Sequence, residues 1–367
     1  MTATTVTAKR LGKAFAEPKS NNAHRARSVT RLLRTGTVTL FALMCLGLFL
    51  SPLAYMASTA LKSDKQISDT NQPLLPKDPS TAVVAGKKVP VLNVPLTSGT
   101  RSLALVKKGP KESIFVDPGK PEEKITWVGN WRTLKPSYHL APQWSNFSRA
   151  WGALNITLLL KNTAAIAILG MIGTVISSVL VAYGLSRFRV PFAKTIMATL
   201  VAAIILPRFL LITPLYAAYL KIGWIGTWWP LIIPHFFSNA YNVFLLRQFF
   251  LTIPAEIDEA AALDGAGPLK TLWSVIIPQA RPAILVIALF HFYFAWNDFF
   301  EPYVYLASAA DLQPISVGLY RFLGLYSVQL GLLQAGAALG MAIPVLVFIV
   351  FQRAFLRGID LSGSTKG

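Results

Sequence analysis

Long apolar runs separated by short polar and basic segments form the main pattern of this 367-residue chain. Runs of about 20 residues are long enough to cross a hydrocarbon core of about 30 Å as a helix. Such segments must be helical, because lipid offers no partner for free backbone groups. We place six spans at Thr35–Met56, Thr163–Gly184, Ile196–Tyr219, Ile222–Leu246, Pro282–Tyr305 and Leu330–Phe351. The pattern therefore predicts an all-α polytopic membrane protein with six transmembrane helices.

The distribution of lysine and arginine orients these spans. With the N-terminus inside, the short cytoplasmic segments 1–34, 185–194, 247–281 and 352–367 carry eight, three, three and three of these residues. Each of the two short external loops carries one. This asymmetry follows the positive-inside rule. We therefore expect a multi-pass protein with a cytoplasmic N-terminus.

The segment between the first two spans has a different composition. Prolines and glycines separate short apolar runs at Val89–Val94, Leu103–Val106, Ser113–Val116 and Ile125–Val128. Short runs with turns between them are typical of strands. A segment of this length is more often folded than a bare loop. We expect a small β-rich insertion outside the membrane.

These patterns divide the chain into segments. They are a basic cytoplasmic tail at 1–34, a first transmembrane helix at 35–61, the extracytoplasmic β-rich insertion at 62–145, a helical membrane core at 146–357 and a cytoplasmic tail at 358–367. The first tail is polar and poor in large apolar groups, so we expect it to be disordered.

Composition excludes several other classes of protein. The chain is 53% apolar and only 14% charged, unlike soluble globular proteins. Its net charge of +19 comes from residues that flank the spans or lie in the insertion, without a nucleic-acid-binding motif. We expect contact with anionic membrane lipid and with no nucleic acid. The only cysteine, Cys45, excludes an intrachain disulfide, and we expect no metal site.

The polar segment 247–281 carries helix signals of its own. Pro254 suits a first helical turn, and the acidic residues that follow it favour the positive N-terminal end of a helix. Gly265 permits a reversal of the chain, and Pro268 blocks continuation of the helix. We expect a helix, a sharp turn and a second helix at about Leu269–Ile277.

Two interpretations of this segment are open on composition alone. Its small alanines let a partner approach closely, while Glu259 and Asp264 offer charge that orients the partner. The alternative is an amphipathic helix that rests on lipid, although its carboxylates suit anionic headgroups poorly.

The same segment resembles the EAA loop of bacterial ABC importer permeases. In that loop Glu-Ala-Ala precedes a glycine, and an aliphatic-x-aliphatic-Pro group follows. Here these groups are Glu259-Ala260-Ala261, Gly265 and Val275-Ile276-Ile277-Pro278. The resemblance implies that segment 247–281, which we call the coupling loop, seats in a cleft of an ATPase subunit. The residues it implies for this contact are Glu259, Ala260, Ala261, Asp264, Gly265 and Pro278.

Further motifs narrow the resemblance to carbohydrate-uptake permeases, in particular to the smaller permease of the maltose transporter. They are Asn162-Thr163, Ala182–Arg187, Leu206-Pro207, Pro214–Tyr216, Phe244–Phe250, Trp296–Phe299 and Lys366-Gly367. The resemblance covers about residues 35–62 and 145–367. The insertion at about 70–140 departs from the compact loop usual in that subunit.

The resemblance also implies partners and a location. The partners are ABC ATPase subunits that bind ATP and Mg, a second homologous permease subunit, an extracytoplasmic solute-binding protein and membrane lipid. The location is the bacterial cytoplasmic (inner) membrane. The chain itself is expected to be no enzyme, with no cofactor and no catalytic residue, because it lacks a glycine-rich loop that cradles phosphates.

Polar and aromatic side chains within the spans are candidates for a solute pathway, since polar groups in a membrane usually face a cavity. Aromatic rings can stack on the apolar C–H faces of a sugar. The candidates are Asn239, Asn242, Phe290, Tyr293, Phe294, Asn297 and Asp298. The alternative is that the asparagines join helices and that Asp298 pairs with Arg208.

Other functions fit the sequence less well. An importer of a non-sugar solute would have the same coupling loop, so this function remains an alternative. An intramembrane enzyme needs a paired catalytic motif, and none is found in the sequence. An ion-coupled secondary transporter is disfavoured, because no inverted repeat is detected.

Overall fold

The computed structural model describes residues 21–69, 73–96, 99–324 and 329–363. These residues are mostly helical. The chain divides into two compact units, of which the first ends at Tyr55 and the second begins at Met56. Within the described residues, four helices are long and apolar enough to cross a membrane: Arg34–Ala60, Ile156–Arg187, Pro268–Asn297 and Leu330–Arg353.

The first helix, α1, runs over Asn21–Ala60. It contains the predicted span and extends into the segment that we expected to be a disordered tail. That expectation is wrong for 21–34, because helix propagation from the apolar span costs little through residues that favour helices. Residues 1–20 lie outside the described residues.

Strands occupy much of the segment that follows. After a short helix α2 (Asp64–Ile67), the strands are β1 (Lys77–Pro79), β2 (Thr81–Val84), β3 (Lys87–Leu96), β4 (Gly99–Lys107), β5 (Glu112–Asp117), β6 (Lys120–Val128) and β7 (Tyr138–Leu140). Strands β2 to β6 form one antiparallel sheet in sequence order, and β1 pairs with β7. The core of the sheet includes Leu103, Leu105 and Phe115. The runs that we predicted as strands lie within β3, β4, β5 and β6.

Two helices connect the sheet to the remaining bundle. They are α3 (Ser145–Leu154) and α4 (Ile156–Arg187). Asn155 between them has a φ of 49°, which turns the chain from one helix into the next. The predicted second span lies within α4.

The third and fourth predicted spans are not continuous helices. In place of the third, α5 (Ala193–Ile205) and α6 (Arg208–Lys221) meet at an angle of 98°. The fourth is replaced by α7 (Trp229–Ile232), a 3-10 turn at Ile233–Phe237 and α8 (Ala240–Thr252).

Prolines explain both corrections. Pro207 lies at the bend between α5 and α6, and Pro230 and Pro234 interrupt the fourth apolar run. Proline removes a backbone donor and disfavours helix in the residue before it. Apolar length alone therefore does not identify a straight span.

The helix observed at the fifth predicted span, Pro282–Tyr305, begins earlier in the chain and ends earlier than predicted. The segments α9 (Ala255–Leu263) and α10 (Pro268–Thr271) precede a π-helical turn at Leu272–Ile276 and then α11 (Ile277–Asn297). The second loop helix and the span are thus one helix, Pro268–Asn297. Asp298 has extended backbone and ends it.

The last part of the chain contains α12 (Phe300–Tyr305), α13 (Ile315–Tyr320) and α14 (Leu330–Gly363). The sixth predicted span lies within α14. This helix continues into the predicted tail 358–367, and residues 364–367, with the Lys366-Gly367 motif, lie outside the described residues.

Candidate functional site

The coupling loop contains one well-defined helix, α9, which begins after Pro254. At its end Gly265 has a φ of +78°, a conformation that glycine adopts at little cost. The N–H of Gly265 donates to the carbonyl of Ala262 at 3.0 Å, and that of Ala266 donates to Ala261 at 2.9 Å. This pair of bonds is the Schellman pattern that reverses a chain after a helix. The predicted helix and turn are therefore present in the structure.

One side of the loop packs on the bundle. Ile253 is buried, and Ile257 packs against the same apolar core, to which α4, α8 and α11 also contribute. Leu272, just after the loop turns back, is fully buried in that core. Burial of these side chains holds the loop against the helices through the hydrophobic effect.

The other side of the loop is open. Leu263 is 90% exposed, and Trp273 is 66% exposed. Glu259 and Asp264 are exposed as well. Exposed large apolar side chains beside carboxylates form a surface suited to a protein partner.

The predicted contact residues divide according to this geometry. Ala260 and Gly265 are exposed with Glu259 and Asp264, whereas Ala261 is half-buried. These residues lie on α9 or at its end. Pro278 is half-buried in the first turn of α11, away from them in the chain. Their contact with an ATPase stays a prediction.

Sequence reasoning missed the contacts that hold this loop. Nε of Arg187 lies 3.1 Å from Oδ2 of Asp258, and both side chains are mostly buried. Arg187 also donates to the carbonyl of Ile253 at 2.9 Å. The hydroxyl of Tyr183 donates to the carbonyl of Pro268 at 3.2 Å. The end of α4 thus contacts the first part of the loop helix and the chain just beyond the loop turn.

A cavity of about 410 Å³ lies among α5, α6, α8, α11 and the 3-10 turn. Its lining includes Arg208, His235, Asn239, Asn242, Phe290 and Phe294. Polar and aromatic groups therefore share one space within the apolar helices.

Four of the predicted pathway residues line this cavity: Asn239, Asn242, Phe290 and Phe294. The other three are placed elsewhere. Tyr293 donates its hydroxyl to the carbonyl of Pro344 in α14 at 3.1 Å. Asn297 donates to the carbonyl of Tyr293 in its own helix at 2.8 Å.

Asp298 does not pair with Arg208. Nη2 of Arg208 lies 2.6 Å from Oε1 of Glu301 instead. The helix ends at Asp298, and its carbonyl accepts a hydrogen bond from Ser316 at 2.7 Å. The alternative of an Arg208–Asp298 pair is therefore wrong, because the break in the helix brings the next carboxylate to the arginine.

Two histidines line the same cavity, and the predicted set omitted both. The rings of His235 and His291 lie 4.4 Å apart between centroids. The Oγ1 of Thr174 lies 3.1 Å from Nδ1 of His291. Ser177 donates to the carbonyl of His235 at 3.0 Å. Both contacts come from α4, and no motif in the sequence predicts that α4 lies beside these histidines.

Among the residues that the structure describes, no group of three or more histidine, cysteine or acidic side chains is placed to hold a metal ion.

Comparison with known families gives a direct match. Residues 173–361 match the model of the family described as "Binding-protein-dependent transport system inner membrane component". This match includes the coupling loop and the cavity described above.

Individual relatives agree with that match. The osmoprotective compounds uptake permease protein GgtD of Synechocystis is 27% identical over 278 residues, which cover 74% of this chain and 92% of that protein. The trehalose transport system permease protein SugB of Mycobacterium tuberculosis is 33% identical over 205 residues, or 54% of this chain and 74% of that protein.

A solved structure shows a similar fold. It is the crystal structure of a bacterial ABC transporter involved in the import of the acidic polysaccharide alginate. The match has a TM-score of 0.58 and covers 92% of this chain and 99% of that chain, with 19% sequence identity. At this identity the likeness concerns the fold alone.

Proposed function

The chain belongs to the family of binding-protein-dependent transport system inner membrane components, and we propose that it is the permease subunit of an ATP-driven carbohydrate importer. It is an inner membrane component with several apolar helices. Its task is to form a path for the solute, while separate subunits supply the energy and deliver the cargo.

The exposed side of the coupling loop is the observation that carries this proposal. The structure leaves Leu263, Trp273 and Glu259 of this loop exposed. A partner that covers these groups removes apolar area from water and pairs the carboxylate. We assign this partner as an ABC ATPase subunit, which binds ATP and Mg. This chain then binds no nucleotide itself.

The proposed topology follows from this docking. The coupling loop is cytoplasmic, as is the N-terminus. The insertion 62–145 is then extracytoplasmic, where it is available to a solute-binding protein. The bent pair α5–α6 and the segment α7–α8 complete six membrane-embedded units with the four long helices.

A second, homologous permease subunit completes the pathway. Side chains of α5 and α6 remain largely exposed within this chain, among them Ile205, Phe209 and Leu210. These groups border the mouth of the cavity, whose lining includes Leu206 and Arg208. Covering them requires either lipid or another apolar protein surface.

The solute is proposed to be a carbohydrate, an oligosaccharide or a polyol. In the cavity, amides of Asn239 and Asn242 provide donors and acceptors for hydroxyl groups. Phe290 and Phe294 provide apolar ring faces. The relatives named for trehalose and osmoprotective compounds support this class. An importer of a non-sugar solute is the alternative outcome of the test below.

Transport is proposed to follow an alternating-access cycle. ATP closes the pair of ATPase subunits, the coupling loops move with them, and the path opens toward the solute-binding protein. Packed helices shift as rigid bodies in such a cycle. The apolar core shared by α4, α8, α11 and the coupling loop would carry this motion.

The experiment replaces Glu259 in the complete importer, reconstituted with its solute-binding protein. Glu259→Arg should leave the chain inserted in the membrane, yet reduce solute-stimulated ATP hydrolysis at least tenfold. Asp311→Arg is the matched control, because it reverses an exposed carboxylate far from the coupling loop in the chain. Full stimulation in Glu259→Arg contradicts the proposal. Stimulation by amino acids or inorganic ions, but by no carbohydrate, favours the alternative solute.

A further inference from the structure

The structure assigns Arg187 as a positioning residue that joins the coupling loop to α4, and α4 as the element that links this loop to the cavity. This inference rests on the proposed function and specifies how its two sites communicate. It involves a residue outside both predicted sets.

The joint between α4 and the coupling loop is a mostly buried ion pair, supported by one hydrogen bond from the charged Arg187 and one from the neutral hydroxyl of Tyr183. Arg187 lies 3.1 Å from Asp258 of α9 and donates to the carbonyl of Ile253 just before α9. Tyr183, one turn earlier on α4, donates to Pro268 just beyond the loop turn. The contact of Arg187 with Asp258 is an ion pair and not a hydrogen bond, so the directed bond of this guanidinium is the one to the carbonyl of Ile253. These contacts tie the chain before α9, α9 itself and the chain beyond its turn to the end of α4.

The middle of α4 contacts two histidines that line the cavity. Thr174 lies 3.1 Å from His291, and Ser177 donates to the carbonyl of His235. Gly173 leaves space for Phe236, since a Cβ at this glycine would lie 2.5 Å from that ring. Thr174 and Arg187 are about 20 Å apart along the helix at 1.5 Å per residue. One helix thus contacts both sites.

The composition of α4 suits it to transmit motion. Of the four long apolar helices in the described part of the chain, the other three contain proline, at Pro52, Pro282 and Pro344. The 32 residues of α4 contain none. Proline bends helices and the π-helical turn before α11 adds a further irregularity. No proline interrupts α4 between the coupling loop and His291.

The ion pair connects two separate elements of the structure. Asp258 lies on α9, whose exposed side is the proposed ATPase contact, and Arg187 is the last residue of α4. Removal of the Asp258 charge keeps the shape of the side chain but leaves the guanidinium without its counter-charge. The loop helix then opens more often, while the apolar anchors Ile253 and Leu272 keep the bundle folded.

The first test measures this opening by hydrogen–deuterium exchange in the reconstituted importer. Asp258→Asn should speed exchange of the backbone amides of α9 about tenfold, since local opening controls exchange. Glu256→Gln is the matched control, because it removes the charge of an exposed neighbour on the same helix. Equal exchange rates in the two variants contradict the proposal that this ion pair holds α9. This measurement does not depend on transport.

The second test measures communication as the ratio of ATP hydrolysis with loaded solute-binding protein to hydrolysis without it. Asp258→Asn and Arg187→Gln should each lower this ratio at least fivefold, with the ATPase subunits still bound. The double variant should be no lower than Arg187→Gln, because one interaction is lost only once. Losses that multiply, or a normal ratio in Asp258→Asn, overturn the role of the pair. If the unmodified importer responds to no solute, the proposed function fails. The exchange measurement then still tests whether the ion pair holds α9.

Discussion

The guanidinium of Arg208 lies 2.6 Å from the carboxylate of Glu301 and 4.4 Å from the ring centroid of Phe294. Arg208 opens α6 at the 98° bend of the third apolar segment. Glu301 lies in α12, directly after the break that ends α11. The pair therefore joins α6 and α12 through Arg208, which also lines the cavity.

Reversing either charge of this pair should weaken the contact between α6 and α12. Arg208→Glu and Glu301→Arg each place like charges together, and each should lower the Tm of the importer in nanodiscs by a few degrees. The double exchange restores opposite charges and should recover at least half of the loss. Thermal unfolding of the three variants checks this. A double variant no more stable than either single one contradicts a direct pair.

The turn after α9 should depend on glycine at one position. Gly265→Ala places a side chain at a φ of +78°, at a cost of about 1–2 kcal/mol. Gly267→Ala is the matched control, since Gly267 has a φ of −71° and also faces open space. Co-purification of the ATPase subunit should fall severalfold only in Gly265→Ala. An equal loss in both variants contradicts a conformational role.

The aromatic lining of the cavity should affect uptake selectively. Phe294→Ala removes a ring that faces the cavity and contacts Arg208. It should raise the concentration of carbohydrate that half-saturates uptake or lower the maximal rate, by about tenfold in total. Tyr293→Phe is the comparison, because this hydroxyl bonds to Pro344 away from the cavity. If Tyr293→Phe impairs uptake as much as Phe294→Ala, this cavity is not the pathway.

Close packing against α4 should tolerate no added methyl at Gly173. A Cβ there would lie 2.5 Å from Phe236, so Gly173→Ala should cost about 1–3 kcal/mol through overpacking. Gly184→Ala on the same helix meets nothing within 4 Å. That control should be neutral or slightly stabilising, since alanine favours helix over glycine. Thermal unfolding of the two variants checks the difference, and equal stability contradicts the packing.

The coupling loop was the part most accessible to sequence reasoning, because its signals are local. Pro254 and Gly265 mark the ends of one short helix through their own backbone preferences. The structure has α9 between them. The surface that contacts the bundle was also partly predictable, from the helical spacing of Ile253 and Ile257.

The bent and broken spans were less accessible. The sequence shows how long an apolar run is. This length does not distinguish one straight helix from two helices that meet at an angle. Pro207 and Pro234 were visible in the sequence, but proline also occurs within continuous helices here, as Pro282 and Pro344 do. Tertiary packing decides between these outcomes.

Contacts between distant residues were inaccessible for a different reason. The pairing of Arg187 with Asp258, and of Arg208 with Glu301, depends on which helices become neighbours. No periodicity within either helix carries that information. For the same reason the alternative that paired Arg208 with Asp298 named the wrong carboxylate, and Glu301 is the partner.

The central claim is that the exposed side of the coupling loop docks on a separate ATPase. Cross-linking from position 259 tests it most directly, with Glu259→Cys in a Cys45→Ser background so that one thiol remains. In membranes that contain the assembled importer, a short thiol-to-amine reagent should join this position to the ATPase subunit, and ATP should change the yield. Adducts with phospholipid alone, in membranes that take up solute at the normal rate, would contradict the claim.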